Sequence, residues 1–260
     1  MNSAEFLESP LLRDAGFVHA FFTRNGGVST GPYASLSFSH TVGDDPENVR
    51  ENLARAARAL GVEPARLFFL SQVHGRVAHG VDGSALRDDV IRTEGDALVS
   101  RDPTVACGVR SADCVPVLLG DRRSGAVAAV HAGWRGVVAG AVESAIERLS
   151  TLVETPTDLV AAIGPHISLE SFEVSEEVAS ELLACSPDPG VVERRPGARP
   201  HVDLRRLVRA KLIARGLAPA AIDDVAGCTV LEPERFFSFR RDGARSGRHL
   251  SAIVPRVLHG

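Results

Sequence analysis

The chain has 260 residues, 44% of them hydrophobic and 24% charged, with a formal net charge of −4, and we predict one domain with a substantial core over residues 1–260. The slightly negative net charge argues against general binding to nucleic acid or to an acidic membrane surface. Glu5 and Glu8 interrupt a start that lacks the pattern of a signal peptide, and no apolar run approaches the roughly 20 residues that span a bilayer, so we expect a cytoplasmic protein.

The first clear element is a helix that follows Asp45-Pro46 and ends at Gly61. Asp is a favoured N-cap, Pro suits a first helical turn, and Gly favours the end of a helix. The apolar residues of this segment recur three or four positions apart and form one stripe: Val49, Leu53, Ala57 and Leu60.

Three short apolar runs then predict buried strands: TVACGV, VPVLL and GAVAAVH, the last ending at His131. A turn from Gly133 to Gly136 follows the third strand. Beyond it, apolar residues at helical spacing predict an amphipathic helix from Val138 to Leu149.

The C-terminal half mixes strands and helices in the same way. A strand DLVAAIG precedes a helix capped by Ser175, a surface segment from Ser186 to Pro200, and a helix that runs from its cap Asp203 to near Gly216. The segment FFSFRRDGARSGRHLSAIV has strand-like runs around a polar, Gly-containing turn, which predicts a hairpin. Because the strands are too irregularly spaced for a βαβ repeat, we predict an α/β (α+β) fold of packed mixed β-sheets flanked by helices.

Three residues that could bind a metal lie where buried strands give way to loops: His74 in SQVHG, Cys114 in SADC, and His131 in AVHAGWRG. Two imidazoles and one thiolate suit a catalytic zinc ion, since three protein ligands leave a fourth position for water or substrate. Their separations of 40 and 17 residues match no short metal motif. The residues alone therefore also allow ordinary hydrogen-bonded histidines and a small buried thiol.

The four cysteines form no C-x-x-C pair, so in a reducing compartment we expect free thiols or metal ligands and no disulfide framework. We interpret Cys107 and Cys185 as small buried hydrophobes. Cys114 is the one that we expect to differ.

Motifs along nearly the whole chain resemble one known family. QVHG, ADC-x-PVLL and AVHAGWRG, in this order, resemble the YfiH-like family, also called laccase-domain or polyphenol oxidase proteins, whose members are further described as purine nucleoside phosphorylases and as a peptidoglycan editing factor. RNGGVSTGPYASLSFS, VGDDPENVREN, IGPHISLESFEV and CTVLEPERFFSFRRDG with SGRHLSAI resemble further family segments. The similarity runs from Phe17 to Ile253.

The resemblance implies that His74, Cys114 and His131 bind the metal and take part in catalysis. It also implies a single domain of packed mixed sheets with outer helices. The activity that it implies is phosphorolysis of adenosine, inosine, guanosine and methylthioadenosine, together with deamination of adenosine. The expected substrates are thus a small-molecule nucleoside and phosphate, with no nucleic-acid or membrane partner.

The chain departs from many relatives at two positions. Leu53 stands where they have Arg after Asn; if that Arg holds phosphate, its role is vacant here or passes to Arg50 or Arg55, which lie on the same helix. His166 stands where they have Cys in a Gly-Pro-Cys-Ile-Gly segment. These departures bear on phosphate binding and substrate preference.

Four other residues are candidates for substrate contacts, each with an ordinary alternative. Arg24, beside Asn25-Gly26-Gly27, could bind phosphate, or the segment could be a hairpin turn. Asp113 could orient a ligand or cap a turn. Trp134 could stack on a purine or pack at a helix start. His40 could face the site or be an ordinary polar residue.

Three alternative functions remain beside the zinc enzyme. A multicopper laccase needs paired His-x-His motifs, and none of the nine His residues is two positions from another, although a Cys/His₂ site can bind copper. A metal-free cysteine hydrolase would use Cys114 as nucleophile and His131 or His74 as base, which would suit editing of cell-wall precursors. A non-catalytic interaction module is the least favoured, because a three-ligand set with an open position suits chemistry.

Overall fold

The computed structural model describes residues 3–153 and 158–257, without the side chain of His40. The strands are β1 (Phe6–Leu7), β2 (His19–Phe22), β3 (Leu67–Phe68), β4 (Ala78–Gly80), β5 (Ala97–Ser100), β6 (Ala106–Ser111), β7 (Val115–Asp121), β8 (Val127–Ala132), β9 (Leu159–Ile163), β10 (Val192–Glu193), β11 (His201–Val202), β12 (Ile222–Asp224) and β13 (His249–Ile253). The helices are α1 (Pro10–Asp14), α2 (Pro46–Leu60), α3 (Arg87–Val90), α4 (Trp134–Ala139), α5 (Ala141–Ser150), α6 (Glu176–Ala184), α7 (Leu204–Ala214) and α8 (Phe239–Asp242).

Two mixed sheets form the centre of the fold. The first has the strand order β1-β2-β13-β6-β3, and the second has the order β12-β9-β7-β8-β5-β4. Each combines antiparallel pairs with parallel ones, the parallel pairs being β3 with β6, β4 with β5, and β9 with β12. This arrangement confirms the predicted class of packed mixed sheets with outer helices.

The strands are apolar on both faces because alternate residues pack into different core layers. In β8, Val127 and Ala129 pack between the two sheets, whereas Ala128 and Val130 face the cluster that includes helices α5, α6 and α7. The outer face of the first sheet packs against α2 in a third cluster. The layers are therefore helix, sheet, sheet and helices, and the central strands β7, β8 and β9 are covered on both sides.

The predicted strands TVACGV, VPVLL, GAVAAVH and DLVAAIG are confirmed as β6, β7, β8 and β9, and the predicted helices after Asp45, Ser175 and Asp203 as α2, α6 and α7. All three predicted caps accept a backbone hydrogen bond: Asp45 from Glu47, Ser175 from Val178 and Asp203 from Arg206. Local sequence signals therefore set these boundaries.

The predicted C-terminal hairpin is wrong. The first run, around Phe236 and Phe237, forms no strand, and residues Phe239–Asp242 form the short helix α8. The second run is β13, which pairs with β2 on one side and β6 on the other. Pairing with two distant strands satisfies both edges of β13, which a local hairpin could not do.

The helix predicted from Val138 is interrupted and begins earlier. Gly140 has a left-handed φ of 92°, so α4 ends at Ala139 and α5 begins at Ala141. The predicted turn from Gly133 to Gly136 is mostly helical, since α4 begins at Trp134 directly after the strand that ends at Ala132. This early start brings Trp134 close to His131.

Helices long and apolar enough to cross a membrane are not found in the described parts of the chain. The expectation that residues 1–260 form one domain stays a prediction.

The buried side chain of Asn52 joins α2 to the loop that precedes it. Its Oδ1 accepts from the backbone N–H of Val28 at 2.9 Å, and its Nδ2 donates to Ser29 Oγ at 2.9 Å and to Ser37 O at 2.8 Å. The side chain is fully inaccessible to solvent. Its amide thus satisfies backbone groups that water cannot reach.

We predict that Asn52→Leu lowers the free energy of unfolding by roughly 2–4 kcal/mol, because it leaves several buried donors and acceptors without partners. Denaturant unfolding monitored by circular dichroism measures this change. Asn48→Ala, a half-buried position one turn earlier on α2, is the matched control and should change stability by about 0.5 kcal/mol or less. Equal stability losses in the two variants would contradict the role given to Asn52.

Candidate metal centre

The structure brings His74, Cys114 and His131 together at one end of the two sheets. Their candidate ligand atoms all lie within 4.8 Å of one another, and the two imidazole rings meet edge to face with centroids 4.9 Å apart. His74 is exposed, Cys114 is half-buried and His131 is buried. The three side chains therefore form a small cluster that opens toward solvent on the His74 side.

Strand pairing accounts for the closeness of two of the three residues. Cys114 directly precedes β7 and His131 lies near the end of β8, and these strands are antiparallel with Pro116 opposite His131. The start of one strand thus meets the end of the other. His74 arrives from a different part of the chain, in the loop between β3 and β4.

Gly133 allows this close approach. A Cβ at this position would lie 2.9 Å from Cys114 Sγ and 2.9 Å from His74 Cδ2, closer than real Cβ atoms come to other atoms. The glycine thus lies against two of the three candidate ligands, and a larger residue would push them away.

The carboxylate of Asp96 holds two of the candidate ligands in place. Asp96 is inaccessible to solvent, and its Oδ1 lies 2.8 Å from His131 Nδ1. The same carboxylate accepts the backbone N–H groups of His74 at 3.0 Å and Gly75 at 2.7 Å. One side chain therefore fixes both the ring of His131 and the loop that carries His74.

The mutual charges and hydrogen bonds of Cys114 and His131 favour an ionised pair, against the effect of burial. Burial alone would raise the pKa of the Cys114 thiol, but the charge of His131 and hydrogen bonds with His131 and His74 outweigh it and lower that pKa. Burial would likewise lower the pKa of His131, but the Cys114 thiolate and Asp96 raise it. Cys114 thus has thiolate character, the form in which cysteine binds metals and acts as a nucleophile.

The backbone is strained next to the candidate ligands. His74 and Asp113 have positive φ values of 59° and 89°, which are uncommon for residues other than glycine. Three hydrogen bonds from residues 73–75 to Asp96 hold the first of these turns. Such strain is concentrated at functional sites in proteins.

A cavity of about 660 Å³ opens beside the three residues, which is large enough for a nucleoside and a small co-substrate. Aromatic and apolar side chains form part of its wall, among them Trp134, Phe172 and Phe239. Its charged lining residues are Arg110, Asp113, Arg135, Arg240 and Arg248.

Two of the predicted substrate-contact residues lie in this wall. Both carboxylate oxygens of Asp113 are engaged, one accepting from Thr229 Oγ1 at 2.6 Å and the other from the backbone N–H of Arg240 at 2.6 Å. Asp113 therefore ties α8 to the loop beside Cys114. Trp134 lines the cavity, and the Arg135 guanidinium lies over its ring at 4.3 Å from the centroid.

The structure does not bring Arg24 to the cavity. Its guanidinium donates to Ala34 O at 2.8 Å and Pro233 O at 2.7 Å and lies over Phe237. The adjacent glycines form no hairpin; instead, a Cβ at Gly27 would lie 2.0 Å from Ser35 O, so they allow two chain segments to pass closely.

One histidine singled out in the sequence, His166, lies away from the site. His166 is buried outside the cavity lining, with Nδ1 2.7 Å from Gly164 O, and burial lowers its pKa to about 4. The His40 side chain lies outside the described part of the structure, so its expected place near the site stays a prediction.

Sequence reasoning missed Asp96 and Arg110. A signal was present in both cases, because each is a charged residue in or next to a strand that is otherwise buried: Asp96 precedes ALVS, and Arg110 interrupts ACGVRS. A charge in such a position requires a partner or a ligand.

Comparisons with known proteins agree on one family. The chain matches the family described as multi-copper polyphenol oxidoreductase laccase over residues 18–256. A protein from Deinococcus radiodurans named purine nucleoside phosphorylase is 39% identical over 251 residues, covering 95% of this chain and 94% of that protein. A protein from Streptomyces griseus named purine nucleoside phosphorylase ORF3 is 40% identical over 234 residues, covering 90% and 92%.

Solved structures show the same fold. YlmD from Geobacillus stearothermophilus superposes with a TM-score of 0.89 at 31% identity, covering 98% of this chain and all of that one. YfiH from Bacillus licheniformis superposes with a TM-score of 0.88 at 27% identity, covering 98% and 97%. With the sequence matches, these similarities mean that the chain belongs to the laccase-like family that includes the YfiH and YlmD proteins.

Proposed function

We propose that this protein is a zinc-dependent purine nucleoside phosphorylase that acts on adenosine, inosine, guanosine and methylthioadenosine and also deaminates adenosine, in the cytoplasm. The observation that carries the proposal is the cluster of His74, Cys114 and His131, oriented by Asp96 and open to a nucleoside-sized cavity. Relatives named purine nucleoside phosphorylase, about 40% identical to this chain, support the choice of substrates.

The residues fit a zinc ion. With Asp96 accepting the Nδ1 proton of His131, Nε2 keeps its lone pair for a metal, a pattern common among metal-binding histidines. The lowered pKa of Cys114 supplies a thiolate, and thiolate with imidazole is a preferred donor set of zinc. When bound by three protein donors, zinc supplies Lewis acidity at its open position.

Zinc is favoured over a multicopper cluster by the number of donors. Among the described side chains, the cluster of these three residues is the one group of three or more His, Cys, Asp or Glu that could hold a metal ion. A trinuclear copper centre requires many more histidines than two. The polyphenol oxidase activity suggested by the family description is therefore the weaker proposal.

In phosphorolysis, the bond from ribose C1′ to the purine nitrogen breaks and a phosphate oxygen bonds to C1′. The proton of hydrogen phosphate passes to the departing base, so the products are ribose 1-phosphate and the free purine. In deamination, water adds at the purine carbon that bears the amine, and ammonia leaves. Trp134, Phe172 and Phe239 offer aromatic faces for a purine in the cavity.

A second candidate is a metal-free cysteine hydrolase. The charge of His131 lowers the pKa of Cys114, and a thiolate beside an imidazolium is the arrangement of a nucleophilic cysteine. The zinc enzyme and the cysteine hydrolase would use the same three residues. The two proposals differ in whether activity requires a metal.

The first prediction is that protein purified without added metal carries about one zinc ion per chain. Elemental analysis by inductively coupled plasma mass spectrometry measures this content. One copper ion per chain with no zinc would contradict the zinc proposal.

The second prediction is that His74→Ala, Cys114→Ala and His131→Ala each lose zinc and nearly all nucleoside cleavage, because two remaining ligands hold the ion poorly. A double variant should be little worse than a single one, since residues that act as a unit give non-additive losses. Chelation should inactivate the wild type, and added zinc should restore it.

His79→Ala and Cys185→Ala, which lie outside the cavity lining, are matched controls and should keep zinc and activity. Full nucleoside cleavage by zinc-free wild-type protein would overturn the zinc proposal and favour the cysteine hydrolase.

The third prediction concerns Asp96. Asp96→Asn should weaken zinc binding by about 10- to 100-fold, since the amide no longer fixes the His131 tautomer with a charged acceptor. Competition with a chromogenic chelator measures the affinity. Asp121→Asn, also fully buried but bonded to Ser124 and the backbone of Asp158, is the control, and equal zinc affinity in the two variants would refute the positioning role.

A further inference from the structure

The cavity wall carries more positive charge than its carboxylates can balance. Among the described residues, four arginines and one carboxylate line it. That carboxylate, Asp113, already accepts hydrogen bonds from Thr229 and Arg240. Arg240 donates to the carbonyls of Ser171 and Glu173, and Arg135 lies over Trp134. Arg248 donates to the carbonyls of Ser246 at 2.7 Å and Gly247 at 3.0 Å, whereas the hydrogen bonds of the Arg110 guanidinium are all long.

Arg110 is held rigidly in the wall by its backbone and its ring contact. The backbone of Arg110 donates to Gln72 Oε1 at 2.7 Å and accepts from Gln72 Nε2 at 2.6 Å. Its guanidinium lies 4.5 Å from the centroid of the Phe69 ring. The side chain is therefore positioned by the same loop that carries His74, two residues beyond Gln72.

The hydrogen bonds of the Arg110 guanidinium are long and leave much of its donor capacity unused. It donates to Ser39 Oγ at 3.5 Å and to Leu70 O at 3.4 Å, distances at which a hydrogen bond is weak. None of the ion pairs among the described residues includes Arg110 or Arg248. A guanidinium has five N–H donors.

The charged neighbours of Arg110 are themselves cations. Burial, and then the charges of Arg248 and Arg87, lower the pKa of Arg110 to about 10, so it stays protonated at neutral pH. Burial lowers the pKa of Arg248, and the charges of Cys114 and Asp113 act in the opposite direction without cancelling that effect. Arg248 thus connects Arg110 electrostatically to the candidate metal ligands. Clustered, partly buried cations of this kind are stabilised by a bound anion.

The arginines expected to take up a phosphate role on α2 do not reach the cavity. Arg50 pairs with Glu47, and Arg55 donates to Glu51 at 2.8 Å and to Gly26 O at 2.8 Å. Leu53 lies in the apolar cluster that also contains Phe69. By the alternation of β6, Arg110 lies on the same face as Ala106, which belongs to that cluster. Arg110 therefore carries a guanidinium from the face of the first sheet that α2 covers into the cavity wall.

We infer that Arg110, assisted by Arg248 and the hydroxyl of Ser39, forms the subsite that binds orthophosphate, the co-substrate of the proposed phosphorolysis. The planar guanidinium matches the oxygens of a tetrahedral oxyanion and binds two of them at once. This inference rests on the proposed function for the identity of the anion. The subsite lies in the same cavity as the nucleoside, as attack on C1′ requires.

The experiment compares Arg110→Met and Arg110→Lys with wild type by calorimetric titration of orthophosphate and by steady-state cleavage of inosine. Arg110→Met should weaken orthophosphate binding and raise the phosphate KM by about 10- to 100-fold, the usual effect of losing a charge-assisted hydrogen bond. The phosphate KM of Arg110→Lys should lie between those of wild type and Arg110→Met, because lysine keeps the positive charge but lacks the paired donors of a guanidinium.

Arg87→Met is the matched control, because Arg87 also lies over the Phe69 ring, at 5.4 Å, but does not line the cavity. It should leave the phosphate KM unchanged, whereas a merely structural role of the ring contacts would make the two Met variants alike. Thermal unfolding of each variant reports whether it is folded, and Arg248→Met tests the same subsite through a second residue.

The outcomes separate this inference from the proposed function. Equal orthophosphate affinity in wild type, Arg110→Met and Arg248→Met would overturn the subsite and leave the proposed phosphorolysis intact. Loss of orthophosphate binding in the variants, with no inosine cleavage by wild type, would support the subsite and overturn phosphorolysis. Wild type that binds a nucleoside 5′-monophosphate but not orthophosphate would overturn the inference, because the phosphoryl group would then belong to a substrate and not to a co-substrate.

Discussion

The carboxylate of Asp96 is the interaction on which the candidate site depends. It is buried, it lies 2.8 Å from the Nδ1 of His131, and it accepts the backbone N–H groups of residues 73, 74 and 75. A buried carboxylate is costly unless several donors satisfy it, and here the donors come from a loop and from a strand that are otherwise separate. The hydrogen bonds that satisfy Asp96 therefore also bring His74 and His131 together.

Strand pairing supplies the frame in which Asp96 acts. Ala97 pairs with Val130 in the β5–β8 ladder, so Asp96 lies beside His131, and the backbone N–H of His131 donates to Asp96 O at 2.8 Å. The β7–β8 pair brings Cys114 to the same place from the other side. The site is thus built on the ends of central strands that are covered on both faces, and sites on such elements are positioned more precisely than sites on loops.

Elements with strong local signals could be predicted from the sequence. The caps Asp45, Ser175 and Asp203 and the buried runs of β6 to β9 all depend on neighbouring residues. The features that could not be predicted depend on distant partners: β13 lies between β2 and β6, and Asp96 meets His131 across the sheet. Similarity to a family pointed to the three candidate ligands, but it gave no role to Arg110, which became visible through its contacts with Phe69 and Gln72.

The absence of a Cβ at Gly133 limits which substitutions this site can accept during evolution. Because any Cβ there would collide with both Cys114 and His74, every replacement of this glycine would displace the two residues together. A substitution at Cys114 or at His74 changes one candidate ligand, whereas a substitution at Gly133 changes the positions of both. We therefore expect natural variation in this family to concentrate in the parts of the cavity wall that do not touch the three candidate ligands, while the turn after β8 stays unchanged.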